Sequence, residues 1–258
     1  MWAVVFDYLC AQNQLMRISV LSITRNDLAG IRRTLASVRA LVPCGKVEVE
    51  HIVVDSSDSD IAPLVKAACG RDAVYSWTAP RKIYPAMNRA LALSTGEVVG
   101  FLNGGDVFAD AEALCRVADT LERSGADFVL SDVIFTDSKR YYSGKDFTVR
   151  SLEAGIAPPH PSFYARRKVY DALGCYDESY TVVGDFELFC RLAKRSDFAG
   201  AYICGPFVKM ESGGTSQILK NRLGRNTLEK YRALKTNGLK ASWLRLYYRF
   251  IRIIYSQF

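Results

Sequence analysis

Two apolar runs that each end in an acid constrain this 258-residue chain more than any other feature. One is His51-Ile52-Val53-Val54-Asp55, which opens into the polar loop Ser56-Ser57-Asp58-Ser59-Asp60. The other is Val98-Val99-Gly100-Phe101-Leu102, which stops at Asn103-Gly104-Gly105-Asp106. A third run, from Ile18 to Ile23, leads into Thr24-Arg25-Asn26-Asp27 and a helical pattern. Short apolar runs bounded by turn residues read as buried strands. In open α/β sheets, ligands gather beyond the carboxyl ends of the strands. A lone Gly-Gly-Asp is an ordinary turn. Three strands that deliver polar or acidic residues to one edge instead outline a cleft for a diphosphate or a metal.

The segments between these runs carry helical spacing. Leu28, Ile31, Leu35 and Val38 fall on one face, and Asn26 or Asp27 can cap that helix. Further helices are expected at 61–68, 83–93 and 109–121, and further strands at 73–77 and 128–135. This alternation implies an α/β domain with a mainly parallel sheet flanked by helices. It fails from about Asp137: residues 139–144 read as a hairpin or loop, 157–161 as irregular, and a helix returns at 186–192. No linker separates this later part, and 258 residues suffice for one large domain.

The net charge of +7 is concentrated at one end. From Gln217 to Phe258 there are ten Lys or Arg against Glu229 alone, a balance of +9, so the remaining chain carries −2. A nearly neutral body argues against nucleic acid as a partner. The seven cysteines form no CxxC pair and sit mostly in apolar stretches, so they are expected to be small core residues of a cytoplasmic protein. At the other end, Trp2-Ala3-Val4-Val5-Phe6 is interrupted by Asp7 with no basic segment ahead of it, which argues against a signal peptide. An extra edge strand and a start at Met16 remain as two readings of residues 1–16.

Three further segments carry a family resemblance together with the strand-end acids. They are Ile83-Tyr84-Pro85-Ala86-Met87-Asn88, Gly184-Asp185-Phe186-Glu187-Leu188-Phe189-Cys190-Arg191-Leu192, and Glu211-Ser212-Gly213-Gly214-Thr215-Ser216. On these residues the chain resembles the inverting glycosyltransferases of family 2, with the GT-A (Rossmann-like) fold. The likeness is to the subgroup that builds bacterial surface polysaccharides of colanic-acid or capsule type. It covers residues 17–216, leaving 1–16 as an extension and 217–258 as a basic helical tail.

The resemblance implies a nucleotide-sugar donor, a UDP-sugar by preference, and a glycan or lipid-linked acceptor. It puts Thr24 near the base and Asp55 on base or ribose, where a carboxylate can accept N–H or hydroxyl hydrogen bonds. Arg81 and Lys82 depart from the family, which usually has an acid there, and would face the diphosphate instead, while Asn88 would order the donor loop. The family's acidic motif maps onto Asn103 to Asp106, with Gly105 in place of one acid. Asp106 would then hold a divalent cation, Mg²⁺ or Mn²⁺, with His160 of Pro159-His160-Pro161 as a second metal contact or a phosphate contact. Asp185 maps onto the catalytic base.

The end of the chain suggests a further partner. From Ser242 to Phe258, Trp, Leu, Tyr, Phe and Ile alternate with Arg245, Arg249 and Arg252, which step by four and three residues. Three charges in so short a segment oppose spanning. An amphipathic helix on an anionic membrane surface, at the inner face of the cell membrane, is expected instead. Two rival functions are weighed by what is missing. No G-x-G-x-x-G follows the first strand, which disfavours a Rossmann oxidoreductase. The missing second acid keeps open a non-catalytic nucleotide-sugar-binding scaffold.

Overall fold

In the computed structural model, residues 15–211 and 224–247 are described. Nine strands form one sheet: β1 (Met16–Thr24), β2 (Val47–Asp55), β3 (Val74–Trp77), β4 (Val98–Phe101), β5 (Val107–Phe108), β6 (Phe128–Phe135), β7 (Tyr141–Tyr142), β8 (Tyr164–Arg166) and β9 (Gly200–Met210). The order is β3-β2-β1-β4-β8-β6-β9-β5, with β7 also pairing β6. β1 to β4 are mutually parallel. β8 lies antiparallel between β4 and β6, so β6 again runs with β4, and β9 runs parallel to β6.

Helices cover both faces. They are α1 (Leu28–Arg39), α2 (Ala62–Cys69), α3 (Ile83–Leu93), α4 (Ala113–Ser124), α5 (Val149–Glu153), α6 (Arg167–Leu173), α7 (Gly184–Leu192) and α8 (Asn226–Thr236). Strand side chains alternate between the two faces, as the period of two demands. Leu21, Val99, Phe101 and Leu130 pack in one core with Tyr84, Met87, Phe186 and Phe189. Val20, Val98, Val129 and Val133 face the other way, against Val117 and Leu121 of α4. Burial on both faces explains why these strands read as unbroken apolar runs.

Three expectations need correcting. The helix foreseen at 109–121 begins at Ala113, because Val107–Phe108 pair with β9 and the Ala109 N–H donates to the Phe207 carbonyl at 2.9 Å. The stretch beyond Asp137 also returns two strands, β8 and β9, to the middle and far side of the sheet. The cysteines are not all core residues: Cys69 and Cys190 are buried, but Cys175 and Cys204 are exposed. Cys44 and Cys115 form a disulfide, with Cα atoms 6.2 Å apart. That bond ties the loop before β2 to α4, at the amino ends of the strands, away from the acid-bearing edge.

The segment at 139–144 is the expected hairpin, with Tyr141 and Tyr142 opposite Ile134 and Val133. Met16 is already part of β1, opposite Val47. At the C-terminal end α8 is not separate from the body: Ala233, Leu234 and Leu246 are buried in the main core, and Trp243 stacks on Tyr231 at 4.2 Å. Residues 1–14, the 212–216 loop and most of the arginine stripe at 248–258 lie outside the described residues.

Candidate active site

The ends of β1 and β2 are tied into one platform. Thr24 and Asp55 are register partners, and the Ser56 N–H donates to the Thr24 carbonyl at 3.0 Å. The loops beyond are cross-linked by a reciprocal pair. Asn26 Nδ2 donates to Asp58 Oδ2 at 2.8 Å, and the Asp58 N–H donates to Asn26 Oδ1 at 2.9 Å. Asp55 is fully buried beneath this platform, where its carboxylate accepts from the Ser57 N–H at 2.8 Å and the Tyr75 hydroxyl at 3.0 Å. Both partners are explained by burial, since an unpaired buried carboxylate is costly. Asp55 therefore sits under the loop and not in an open cleft.

At the end of β4 the chain turns through Asn103 to Asp106, whose N–H donates to the Asn103 carbonyl at 3.0 Å. Thr34 of α1 fixes this turn: its hydroxyl accepts from the Gly105 N–H at 3.0 Å and donates to the Asp106 carbonyl at 2.8 Å. Gly105 has φ +99, a backbone conformation that strains any L side chain. The turn itself therefore disfavours an acid at that position. Thr24 Oγ1 and Asn103 Oδ1 are buried and find no hydrogen-bond partner among the described residues. A Cβ placed on Gly104 would lie 3.0 Å from Thr24 Oγ1, so Thr24 abuts this turn. Unpaired buried polar atoms call for a missing partner, and these two lie at the strand-end edge.

Asp106 is 8% exposed. Burial, with help from the charge of Glu211, pushes its carboxyl up to about 7. Asp106 and the unpartnered Asn103 Oδ1 are hard oxygen donors in one turn. They fit a divalent cation in a limited way, because Mg²⁺ needs few protein ligands when phosphate oxygens and waters complete its shell. A cage made by protein alone does not form: among the described residues no group of three or more His, Cys, Asp or Glu could hold a metal.

The other half of the site belongs to α3, α7 and the segments between. Asp185 lies in the first turn of α7, and from Val182 to Cys190 it is the only residue that is not buried. Its Oδ1 accepts from the Phe186 N–H at 2.8 Å. The preceding Gly184 donates its N–H to the Tyr84 hydroxyl at 2.6 Å, and Tyr84 stacks on Tyr176 with centroids 5.8 Å apart. His160 lies beneath, its Nε2 2.7 Å from the Tyr176 hydroxyl and its ring against Phe101. Burial lowers the His160 pKa, while the charge of Asp185 opposes that shift. His160 packs among Phe101, Tyr176 and Phe189.

The remaining candidates are ordering residues or surface cations. Asn88 Nδ2 donates to the Tyr176 carbonyl and to Glu178 Oε1, both at 2.9 Å, and Asn88 Oδ1 accepts from the Tyr176 N–H at 2.8 Å. It staples the loop that leads into α7. Arg81 and Lys82 are exposed at the entry of α3, and Lys82 Nζ donates to the Ser179 carbonyl at 3.2 Å. Sequence reasoning missed Thr34, Tyr176 and Glu229. Thr34 had a weak signal, a polar residue within an apolar helix face. Glu229 had a clearer one, as the sole acid in a basic segment.

The sheet thus carries Thr24, Asp55 and Asp106 at the ends of β1, β2 and β4, and Asp185 stands at the entry of α7. The glycosyl transferase family 2 profile matches residues 19–202, and the chain belongs to that family. It is 29% identical over 184 residues to an uncharacterized glycosyltransferase of Mycobacterium tuberculosis, covering 68% of each chain. It is 28% identical over 177 residues to a PGL/p-HBAD biosynthesis glycosyltransferase of Mycobacterium bovis, covering 67% of this chain and 68% of the relative. In fold it is similar to S. aureus TarS 1–349 in complex with UDP-GlcNAc, with TM-score 0.69 and 16% identity over 86% of this chain and 65% of that one. It is also similar to the mannosyltransferase PcManGT from Pyrobaculum calidifontis in complex with GDP-Man and Mn²⁺, with TM-score 0.62 and 16% identity over 88% and 71%.

Proposed function

We propose that the chain transfers a hexose from a nucleotide-sugar, a UDP-sugar by preference, to a hydroxyl of a glycan or lipid-linked acceptor, with inversion, in bacterial surface-polysaccharide assembly. The observation that carries the reading is Asp185, the one solvent-reaching residue in a buried helix entry. In the reaction the acceptor oxygen attacks the anomeric carbon as its proton passes to the Asp185 carboxylate. The bond from that carbon to the diphosphate oxygen breaks, and the nucleoside diphosphate leaves with the electron pair. One base and one displacement invert the anomeric centre, by analogy with single-displacement glycoside hydrolysis.

The donor would lie along the strand-end edge. Thr24 Oγ1 and Asn103 Oδ1 supply unspent hydrogen-bonding capacity there. Asp55 would act on the base or ribose through the loop it holds, and Asn88 through the loop before α7. A divalent cation held by Asp106 would offset charge developing on the diphosphate. Arg81 and Lys82 are the exposed cations assigned to the same anion. The test is product stereochemistry by NMR with a donor of known anomeric configuration. The reading expects the opposite configuration in the product; retention overturns it.

The membrane surface belongs to this proposal. No helix among the described residues is long and apolar enough to cross a membrane. Trp243, Leu244 and Tyr247 are exposed beside Lys240 and Arg245. Apolar and aromatic groups next to cations suit an anionic interface at the cytoplasmic leaflet.

A further inference from the structure

Glu229, on the first turn of α8, reaches across to the chain just ahead of Asp185. Its carboxylate accepts from three successive backbone N–H groups: Thr181 at 3.0 and 3.1 Å to its two oxygens, Val182 at 2.9 Å and Val183 at 3.2 Å. Consecutive N–H groups converging on one point make an anion-binding nest, and Glu229 fills it while only 8% exposed. Val183 is the N-cap of α7 and its side chain makes no capping bond. Glu229 therefore takes the N–H of the N-cap residue and of the two residues before it, fixing the chain that leads into α7 from a distant helix.

The next two N–H groups with fixed partners are Gly184 on Tyr84 and Phe186 on Asp185 itself. Backbone from 181 to 184 is thus pinned by Glu229 and Tyr84, and Asp185 follows directly on this frame with its side chain partly exposed. We propose that Glu229 is a positioning residue for proton transfer, which makes the C-terminal helix part of the catalytic apparatus. The inference rests on the reading of Asp185 as the base.

Because both Glu229 oxygens are taken up by backbone, its loss acts on where Asp185 stands and not on donor contacts. Glu229→Gln keeps the volume but replaces one acceptor with a donor aimed at N–H groups. Steady-state kinetics should show kcat reduced roughly 10- to 10²-fold, the scale of a misplacement of about 1 Å, with donor KM within about twofold. Leu234→Ala, which loosens the same helix through packing alone, is the control at equal loss of melting temperature. Glu229→Asp keeps the charge and shortens the reach, so it separates loss of position from loss of fold. It too should lower kcat and leave donor KM in place. The proposal is overturned if Glu229→Gln or Glu229→Asp folds with wild-type kcat, or if Leu234→Ala costs as much kcat at matched stability. An Asp185→Asn variant that still turns over would instead overturn the base assignment, so the two failures are distinguishable.

Discussion

The Tyr84 hydroxyl accepts the Gly184 backbone N–H at 2.6 Å, joining the start of α3 to the start of α7 across 100 residues of sequence. Two motifs that look independent along the chain are therefore one unit, with the tyrosine of Ile-Tyr-x-Ala-Met-Asn holding the glycine next to Asp185. The fit is tight: a Cβ at Gly184 would lie 2.7 Å from the Tyr84 ring.

Gly184→Ala should therefore destabilise the protein by about 1–3 kcal/mol through overpacking. Tyr84→Phe should cost about 1–3 kcal/mol by leaving a buried N–H unpaired. Both should lose transfer more than donor binding. Chemical denaturation with parallel turnover assays checks this, and wild-type stability in both variants would contradict it.

His51 provides the pH dependence. Burial, with a smaller effect from Arg39, lowers its pKa to about 4, and its Nε2 is 2.9 Å from Ser22 Oγ. Since the folded value lies below the unfolded one, the unfolded chain binds the proton first as pH falls. The His51 contribution to stability is full above about pH 6.5 and is lost toward pH 4, whereas Asp106, raised to about 7, contributes in the opposite direction over the same window. Thermal melts of wild type and His51→Gln across that window should show the wild type losing stability relative to the variant as pH falls. Parallel curves would contradict the assignment.

Asp106 carries the cation prediction. Mn²⁺ should raise the melting temperature gained with UDP, because a ligand that binds only the folded state stabilises it. Asp106→Asn should abolish that extra gain while still folding. An equal Mn²⁺ effect in the variant would remove Asp106 from cation binding, and turnover unchanged in excess chelator would remove the cation from the reaction.

Much of this arrangement was legible from local pattern. Residues 51–55 and 98–102 are buried on both sides of the sheet, so their apolar runs were continuous and their ends clear. Helix α3 spans Ile83–Leu93, as the spacing predicts. What escaped depends on partners distant in sequence. Val107 and Phe108 are strand only because β9 lies beside them, and the Cys44–Cys115 pair is 71 residues apart. His160 sat in a motif that suggested a metal, but only the tertiary packing shows its Nε2 taken by Tyr176. Glu229 could be counted as a lone acid, yet its three amide partners lie 46 to 48 residues upstream.

The exposed C-terminal face gives a membrane prediction. Leu244 is 83% exposed, and Trp243 and Tyr247 are half-exposed. Full-length protein should float with vesicles containing an anionic lipid and not with neutral ones, and Leu244→Glu should weaken that binding. Failure of the wild type to bind anionic vesicles would remove the membrane from the account.

The central claim is that Asp185 accepts the acceptor's proton, and kinetics of Asp185→Asn measured beside donor binding test it most directly. The substitution keeps size and hydrogen-bonding shape but removes the base. Turnover should fall by roughly 10²- to 10⁴-fold, the usual contribution of a general base, with donor affinity nearly unchanged. An Asp185→Asn enzyme that transfers sugar at close to the wild-type rate would contradict the mechanism.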